Sequence, residues 1–430
     1  MEKSVKIVSK NFNYSNPESI EEYINSGGFM ALKKVVRMSK EEIFYVVNVS
    51  KLKGRGGAAY PTGRKLEQAA EEKAVSKVIV CNADEGEPST FKDRALLEWA
   101  PFKVLEGMII SAYAINADQG YIYIREEYPK LQQRMKNAID LVTKAGFLGE
   151  NILGRGFNLK IKVVSGGGAY VCGEGSALAE SIEGKSGRPR IKPPYIKQKG
   201  VFGLPTCINN VETLSILPTL FSKDADDYIS RGTVESKGTK FISISGNINK
   251  SGVYEIPFGL SLREIIYDIG GGIPDNKHFK FMQLGGASGP IVSEKSLDIK
   301  YTYEDLKENG LSIGSGAILV ADETNSIVEY IKTVQNFFVH ESCGKCTPCR
   351  EGNKHLSILL DRFVKRTASE EDYDYINRIT QAMRTSSFCG LGKSCTVPLI
   401  SALKNFQQEF NDCIKVTADS LTEKENKVIV

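Results

Sequence analysis

The chain has 430 residues, with 56 Lys or Arg against 52 Asp or Glu and a formal net charge of +4. Signs this nearly balanced set up no long-range field for a polyanion, and no apolar run reaches the ~18 residues of a membrane span. Neither nucleic acid nor direct membrane insertion is therefore expected. Nine cysteines, an odd number, and a start (Met1 to Lys6) without an apolar signal core point away from a secreted disulfide protein and toward a reducing cytoplasm.

The length suits two or three domains. Over residues 1–235, strand-like runs alternate with helix-like stretches, the pattern of a layered α/β unit. Its first notable segment is Gly54-Arg55-Gly56-Gly57-Ala58-Ala59-Tyr60-Pro61-Thr62-Gly63, with Arg55 and Lys65 as nearby cations. Small residues and free N–H groups there suit a phosphate cradle, although an ordinary tight turn has the same composition. Lys77 to Cys81, Tyr121 to Ile124 and Leu159 to Val164 read as buried strands. Ala95 to Ala117 and Tyr128 to Ala145 carry apolar residues at helical spacing. The first strand runs into Cys81-Asn82-Ala83-Asp84-Glu85-Gly86-Glu87-Pro88. Its carboxylates can accept hydrogen bonds from sugar hydroxyls, or they can cap the next helix. Ser165 to Glu174 forms a second glycine-rich turn after a strand. The cations Lys185, Arg188, Arg190, Lys192, Lys197 and Lys199 then form a basic stretch whose plain reading is a solvated loop.

A second unit, over 240–325, opens with a hairpin from Phe241 to Ile256. A helix follows at Ser261 to Ile266, with Ser261 as its N-cap and Gly270-Gly271-Gly272 as its stop. Strands at Met282 and at Ala317 to Val320 would complete a small β-grasp-like domain. Residues 326–430 read as mostly helical.

That last region holds the strongest local signal, Cys343-Gly344-Lys345-Cys346-Thr347-Pro348-Cys349, with Cys389 before Gly390-Leu391-Gly392. Three thiols at this spacing plus one distant thiol suit an iron–sulfur cubane. Zinc also takes four cysteines but favours paired knuckles, and a redox disulfide would leave two thiols without a role. Cys395 competes as the fourth ligand. Cys389 is preferred because the glycines beside it let backbone approach closely. Cys81, Cys172, Cys207 and Cys413 read as small buried hydrophobes. The three histidines, His278, His340 and His355, are scattered and offer little to a histidine hydrolase.

Taken in order, Gly54–Lys65, Cys81–Arg94, Gly168–Leu178, Asn209–Leu214, Glu341–Gly352 and Cys389–Gly392 resemble the NADH-binding flavoprotein subunit of respiratory complex I. The same module serves soluble NAD(P)-linked hydrogenases, formate dehydrogenases and electron-bifurcating complexes. The resemblance implies a Rossmann-like FMN- and NAD(P)-binding domain over 1–235, a ubiquitin-like domain over 240–325 and a helical [4Fe-4S] domain over 326–430. It also implies roles for single residues. Gly54, Arg55, Gly56, Gly57 and Lys65 look like the FMN phosphate loop. Asn82, Asp84, Glu85, Gly86, Tyr170, Gly173, Glu174, Asn209, Asn210 and Thr213 look like flavin contacts. Tyr60, Glu87, Gly175, Lys192 and Tyr195 look like dinucleotide contacts, and Cys343, Cys346, Cys349 and Cys389 like the cluster ligands. Hydride transfer between NAD(H) or NADP(H) and FMN then needs no protein acid or base, only positioning, assigned here to Glu85 and Glu174. Expected partners are a small thioredoxin-like [2Fe-2S] subunit and a larger multi-cluster iron–sulfur subunit, because neither extension found in many bifurcating relatives is seen in this sequence.

Two departures stand out. Gly175 takes the place of a second acid that resembles one excluding a 2′-phosphate, and Gln68 stands where an aromatic plate is expected. The first tilts the reading toward a soluble NAD(P)-linked complex, bifurcating ones included. A respiratory peripheral arm, a flavin and cluster relay with a lost dinucleotide site, and a zinc-stabilised binding module stay open.

Overall fold

The computed structural model describes residues 3–415. Three short helices, α1 (Ile20–Asn25), α2 (Met30–Val35) and α3 (Lys40–Val49), precede α4 (Thr62–Glu71). Four strands follow at intervals: β1 (Val78–Ala83), β2 (Gln119–Ile124), β3 (Lys160–Ser165) and β4 (Thr206–Asn210). All pair in parallel, in the order β3-β2-β1-β4. Val78, Ile79, Val80 and Cys81 are fully buried, as a parallel strand covered on both faces demands. The order reverses between β1 and β4. An open α/β sheet puts its ligand crevice at that switch point, beyond the carboxyl ends of the strands.

The helix expected over Ala95 to Ala117 is two helices, α5 (Lys92–Trp99) and α6 (Pro101–Ile115). Pro101 lacks the N–H that would continue the first, yet its fixed φ suits the first turn of the second. Helix α7 (Pro129–Lys144) lies where Tyr128 to Ala145 predicts it. After α8 (Gly175–Ile182) comes α9 (Val211–Phe221), buried along its whole length beside α6. Gly107 permits that approach, since a Cβ there would fall 1.8 Å from the Leu214 carbonyl oxygen. The close crossing fixes the N-terminus of α9, which belongs to the crevice.

Beyond α10 (Ala225–Ser230) a second sheet forms from β5 (Thr239–Gly246), β6 (Gly252–Pro257), β7 (Phe279–Leu284), β8 (Ile291–Ser293) and β9 (Ala317–Asp322). Its order is β6-β5-β9-β7-β8, with β5 and β9 parallel between antiparallel hairpins, the arrangement of a β-grasp. Helix α11 (Leu262–Glu264) begins with a Ser261–Glu264 capping box and runs into a π turn at Ile265–Ile269. Helix α12 (Tyr303–Glu308) precedes β9. The remainder is helical: α13 (Ile327–Glu341), α14 (Thr347–Val364), α15 (Glu370–Ser386), α16 (Gly390–Ser394), α17 (Val397–Asn405) and α18 (Gln407–Asn411).

One apolar core joins the regions. Val78, Val80 and Tyr123 of the parallel sheet, Phe281 and Ile291 of the second sheet, and Phe338, Phe363 and Phe410 of the helices belong to a single buried cluster. Each such aromatic ring contributes roughly 1.5–3 kcal/mol by leaving water. The mixed α/β class with a helical end follows the sequence reading. Among the described residues no helix is long and apolar enough to cross a membrane.

Candidate functional site

A cleft of about 640 Å³ opens at the switch point between β1 and β4. One wall is the glycine loop, where the Gly54 N–H donates to the Tyr60 carbonyl at 2.8 Å and Gly57 turns with φ +122°. The Arg55 N–H donates to Thr213 Oγ1 at 2.9 Å, which pins the loop to the first turn of α9. A Cβ at Gly56 would lie 3.3 Å from the Asn210 Cβ, so backbone and amide approach closely there. Lys65 reaches the same space from α4, with Nζ 3.1 Å from the Ile208 carbonyl oxygen, and burial lowers its pKa. Free N–H groups beside one ammonium suit a phosphate.

Arg55 departs from the sequence reading. Its backbone lines the cleft, but its guanidinium is buried against the Phe258 ring at 4.9 Å and donates to the Tyr303 and Tyr228 hydroxyls at 3.0 and 3.2 Å. It lies 3.9 Å from Glu212. Glu212, on α9, also pairs with Lys92 at 3.0 Å and Lys240 at 2.5 Å. Lys92 holds Asp93 at 2.7 Å and reaches the Asn210 Oδ1 at 3.3 Å, while Asp93 Oδ2 accepts from Asn210 Nδ2 at 2.7 Å. Burial alone would raise the Glu212 carboxyl, but the three cations hold it below its usual range. The network fixes the Asn210 amide at the cleft floor. None of Lys92, Asp93, Glu212 or Lys240 was singled out from sequence. The signal was faint: Glu212 and Lys240 only border apolar runs, at Leu214 to Leu217 and at Phe241 to Ile244, and nothing local marks them as buried charges that must be paired.

The opposite wall comes from Gly173 and α8. Asn82 Nδ2 donates to the Gly173 carbonyl at 3.0 Å. Glu174 caps α8 through the Ser176 and Ala177 N–H groups and pairs with Lys192 at 2.8 Å. Burial would raise its carboxyl, but Lys192 and Ser176 hold it low. Gly175 faces the cleft, where a Cβ would meet only Ile208 Cδ1 at 3.3 Å. Tyr60 and Tyr195 stand half-exposed on the cleft, and the Tyr60 hydroxyl donates to Gln68 at 3.2 Å. The basic stretch is more than a solvated loop, because Arg190 is held by Glu183 at 2.7 Å and by the Gly200 carbonyl at 2.8 Å. Asn209 is buried behind Lys65, 3.4 Å from its Nζ.

The acidic loop after β1 splits. The Glu85 carboxylate accepts from the N–H groups of Asp93 and Arg94 at 2.6 and 2.9 Å and so caps α5, while burial and the nearby Asp93 push its pKa up to about 8. Asp84, Gly86, Glu87 and Tyr170 line an adjoining cavity of about 440 Å³ rather than the main cleft. Glu87 accepts from the Ser288 N–H at 2.7 Å and from the Tyr170 hydroxyl.

Cys343, Cys346, Cys349 and Cys389 surround one small cavity with Val171, Pro189 and Phe388. The Ser342 Oγ lies 3.3 Å from Cys349 Sγ, and the Asn353 Nδ2 donates to the same sulfur at 3.3 Å. Cys346 stands at the N-cap position of α14, so the positive end of an 18-residue helix faces the thiols. A Cβ at Gly392 would sit 2.9 Å from that of Cys349, and only glycine lets the two chain segments close on each other. Cys395 lies outside this ring, fully buried, with its thiol directed to the Gly392 carbonyl. Tetrahedral zinc would need sulfurs about 3.8 Å apart. Among the described residues, no three or more His, Cys, Asp or Glu are placed closely enough to hold a single metal ion, whereas a ring of thiols around a cavity suits a cluster.

The two sites share a wall. Val171 and Pro189 border the thiols, and Gly173, Glu174 and Lys192 border the cleft. Lys345, next to Cys346, stacks over Phe388 at 4.6 Å and donates to the Pro189 carbonyl, fastening the thiol loop to that wall.

Comparison with known proteins agrees with this geometry. Residues 47–219 match the Nuo51 FMN-binding domain family, and residues 329–413 match the NADH-ubiquinone oxidoreductase-F iron-sulfur binding region. The chain is 44% identical over 408 residues to the HndC component of the NADP-reducing hydrogenase of Solidesulfovibrio fructosivorans, covering 95% of this chain and 83% of that one. It is 42% identical over 400 residues to the F component of the NADH-quinone oxidoreductase of Aquifex aeolicus, covering 93% and 92%. A solved NAD+-reducing [NiFe]-hydrogenase, in its H2-reduced state, has a chain that matches with a TM-score of 0.84 at 31% identity. That match covers 96% of this chain and 67% of the other.

Proposed function

The chain belongs to the family that unites the F component of NADH-quinone oxidoreductases with its hydrogenase counterparts, and from that membership we propose that it is the diaphorase subunit of a soluble NAD(P)-linked complex. It is an oxidoreductase subunit with an FMN-binding domain and an iron–sulfur binding region, and it works with partner subunits. The observation that supports the reading best is the shared wall, which puts a cleft with a phosphate-suited glycine loop and a four-thiol pocket a few residues apart.

Bound flavin supplies the exchange between a two-electron hydride and single electrons. The protein's part is to position. The glycine loop and Lys65 hold the phosphate, Asn82 and Asn210 present fixed amides, and Tyr60 and Tyr195 supply flat faces for a dinucleotide. Glu87, in the adjoining cavity, faces whatever reaches past Tyr170. Cys343, Cys346, Cys349 and Cys389 ligate the cluster. The partners are a small thioredoxin-like [2Fe-2S] subunit and a larger multi-cluster subunit, in a reducing cytoplasm.

The cleft also favours tolerance of a 2′-phosphate. Gly175 leaves Glu174 as the one acid on that wall, already paired with Lys192, and Lys197 adds a second cation. Anaerobic titration with NADH and with NADPH, recorded by visible absorbance, tests both points. Bleaching of the flavin by either nucleotide is the expected result, and bleaching by neither leaves a relay without a nicotinamide site. Gly175→Glu is expected to lower the NADPH-to-NADH ratio of kcat/KM by about ten-fold or more through like-charge repulsion. An unchanged ratio removes Gly175 from nucleotide choice.

A further inference from the structure

Oxidation of a reduced nicotinamide yields two electrons and one proton (NAD(P)H → NAD(P)+ + 2 e− + H+). A thiolate-ligated cluster takes the electrons only, so each turnover leaves one proton in the cleft. A dinucleotide held by Tyr60 and Tyr195 would stand on the exposed side of the cleft.

Asp84 stands where another exit is available. It follows β1, is 3% exposed, and its Oδ2 has no hydrogen-bond partner. That oxygen lies 3.2 Å from where a Cβ would be on Gly173, which borders the cleft, and 3.2 Å from the same position on Gly86, which borders the adjoining cavity. The partition between the two spaces therefore holds a buried carboxylate oxygen with nothing bonded to it. On the far side, the cavity is edged by the exposed side chains of Glu127 and His340, which meet solvent.

On the diaphorase reading above, we propose that Asp84 is the proton-transfer residue of this site: its carboxylate takes the proton left in the cleft and releases it to water in the adjoining cavity, and runs the same path backward when nicotinamide is reduced. The charges around it suit that task. Burial pushes its carboxyl up to about 7, with Arg125 pulling it down and Glu127 and Glu341 raising it further. A group near the operating pH both accepts and donates readily. Tyr123, Tyr170 and Cys172 also pack near Asp84, and burial raises all three, so they stay neutral. The neighbouring carboxylates are raised by burial too, but both are engaged: Glu85 accepts from the Asp93 and Arg94 N–H groups, and Glu87 from the Ser288 N–H and the Tyr170 hydroxyl, whereas the Asp84 Oδ2 is open.

The test uses the loaded protein, reduced anaerobically with NADH or NADPH in weak buffer with a pH-indicator dye. It is then mixed with a one-electron acceptor while flavin reoxidation and proton release are followed together. In the wild type the two phases coincide. In Asp84→Asn, proton release is expected to slow by on the order of 100-fold and to lag behind reoxidation. Coincident phases in the variant overturn the proposal. Should Asp84→Asn lose its flavin, the wild type decides alone. Its reduced-minus-oxidised infrared difference spectrum, taken in H2O and D2O, is expected to show a protonated-carboxyl band that shifts with deuterium, and a spectrum without one overturns the proposal. Failure of the diaphorase reading shows differently: neither nucleotide bleaches the wild-type flavin, before any proton is measured.

Discussion

The thiol pocket and the cleft are built in opposite ways. Three of the four thiols come from the stretch Cys343 to Cys349 and the fourth from the turn at Cys389, so side chains from two short segments make the site. The cleft draws its lining from a glycine loop, strand ends and helix starts far apart in the sequence. It is held in shape by charges from distant segments, Arg55, Lys92, Glu212 and Lys240, none of which has its charged group in the cleft. A site of local side chains should fail completely and alone when one ligand is removed. A site shaped by a remote network should fail by degrees and together with the fold.

The largest expected effect is at the pocket. Cys346→Ser is expected to abolish the cluster's visible absorbance and its paramagnetic signal on reduction, with nucleotide still bleaching the flavin. Loss of bleaching as well would mean that the two regions are not separable. Next comes Glu212→Gln, which leaves Arg55, Lys92 and Lys240 facing Asp93 as the one remaining close acid of the network. Removing one partner from a buried ionic set costs about 3–5 kcal/mol, so the thermal midpoint should fall steeply. A small change would show that the cleft does not depend on its network.

The smallest effect, taken per pH unit, is on pH dependence. Glu85 titrates near 8 in the fold, against an ordinary glutamate value of roughly 4 when unfolded. Between those limits the unfolded chain gives up this proton and the folded one keeps it. Its contribution is thus fully present below the lower limit and is lost as pH rises to about 8, at up to roughly 1.4 kcal/mol per pH unit. The wild type should lose thermal stability faster than Glu85→Gln over that window. Parallel curves would place the Glu85 carboxylate in solvent.

This contrast also explains what could be read from sequence. The thiol spacing is visible in a short window, and the structure brings those four cysteines around one cavity. Three of the parallel strands, β1 to β3, and the first hairpin of the β-grasp announce themselves by apolar runs and glycine turns, whereas β4, with Asn209 and Asn210 at its end, and the three-residue β8 do not. The role of Arg55 does not. A cation beside three glycines suggests a phosphate, and its true partners, Tyr228, Tyr303 and Glu212, lie more than 150 residues downstream. The single helix expected from Ala95 to Ala117 failed for a local reason, because periodicity continues across Pro101 although the hydrogen-bond ladder does not.

The apolar core common to the two sheets and the helical end bears on how such a unit can be rearranged. Phe281, Phe338 and Tyr123 belong to one buried cluster, so a cut between sheet and helices would bare aromatic surface on both products. Fission at these internal seams is consequently expected to be penalised. Wherever cells or engineers reuse it, the hydride end and the single-electron end should travel as one indivisible cassette.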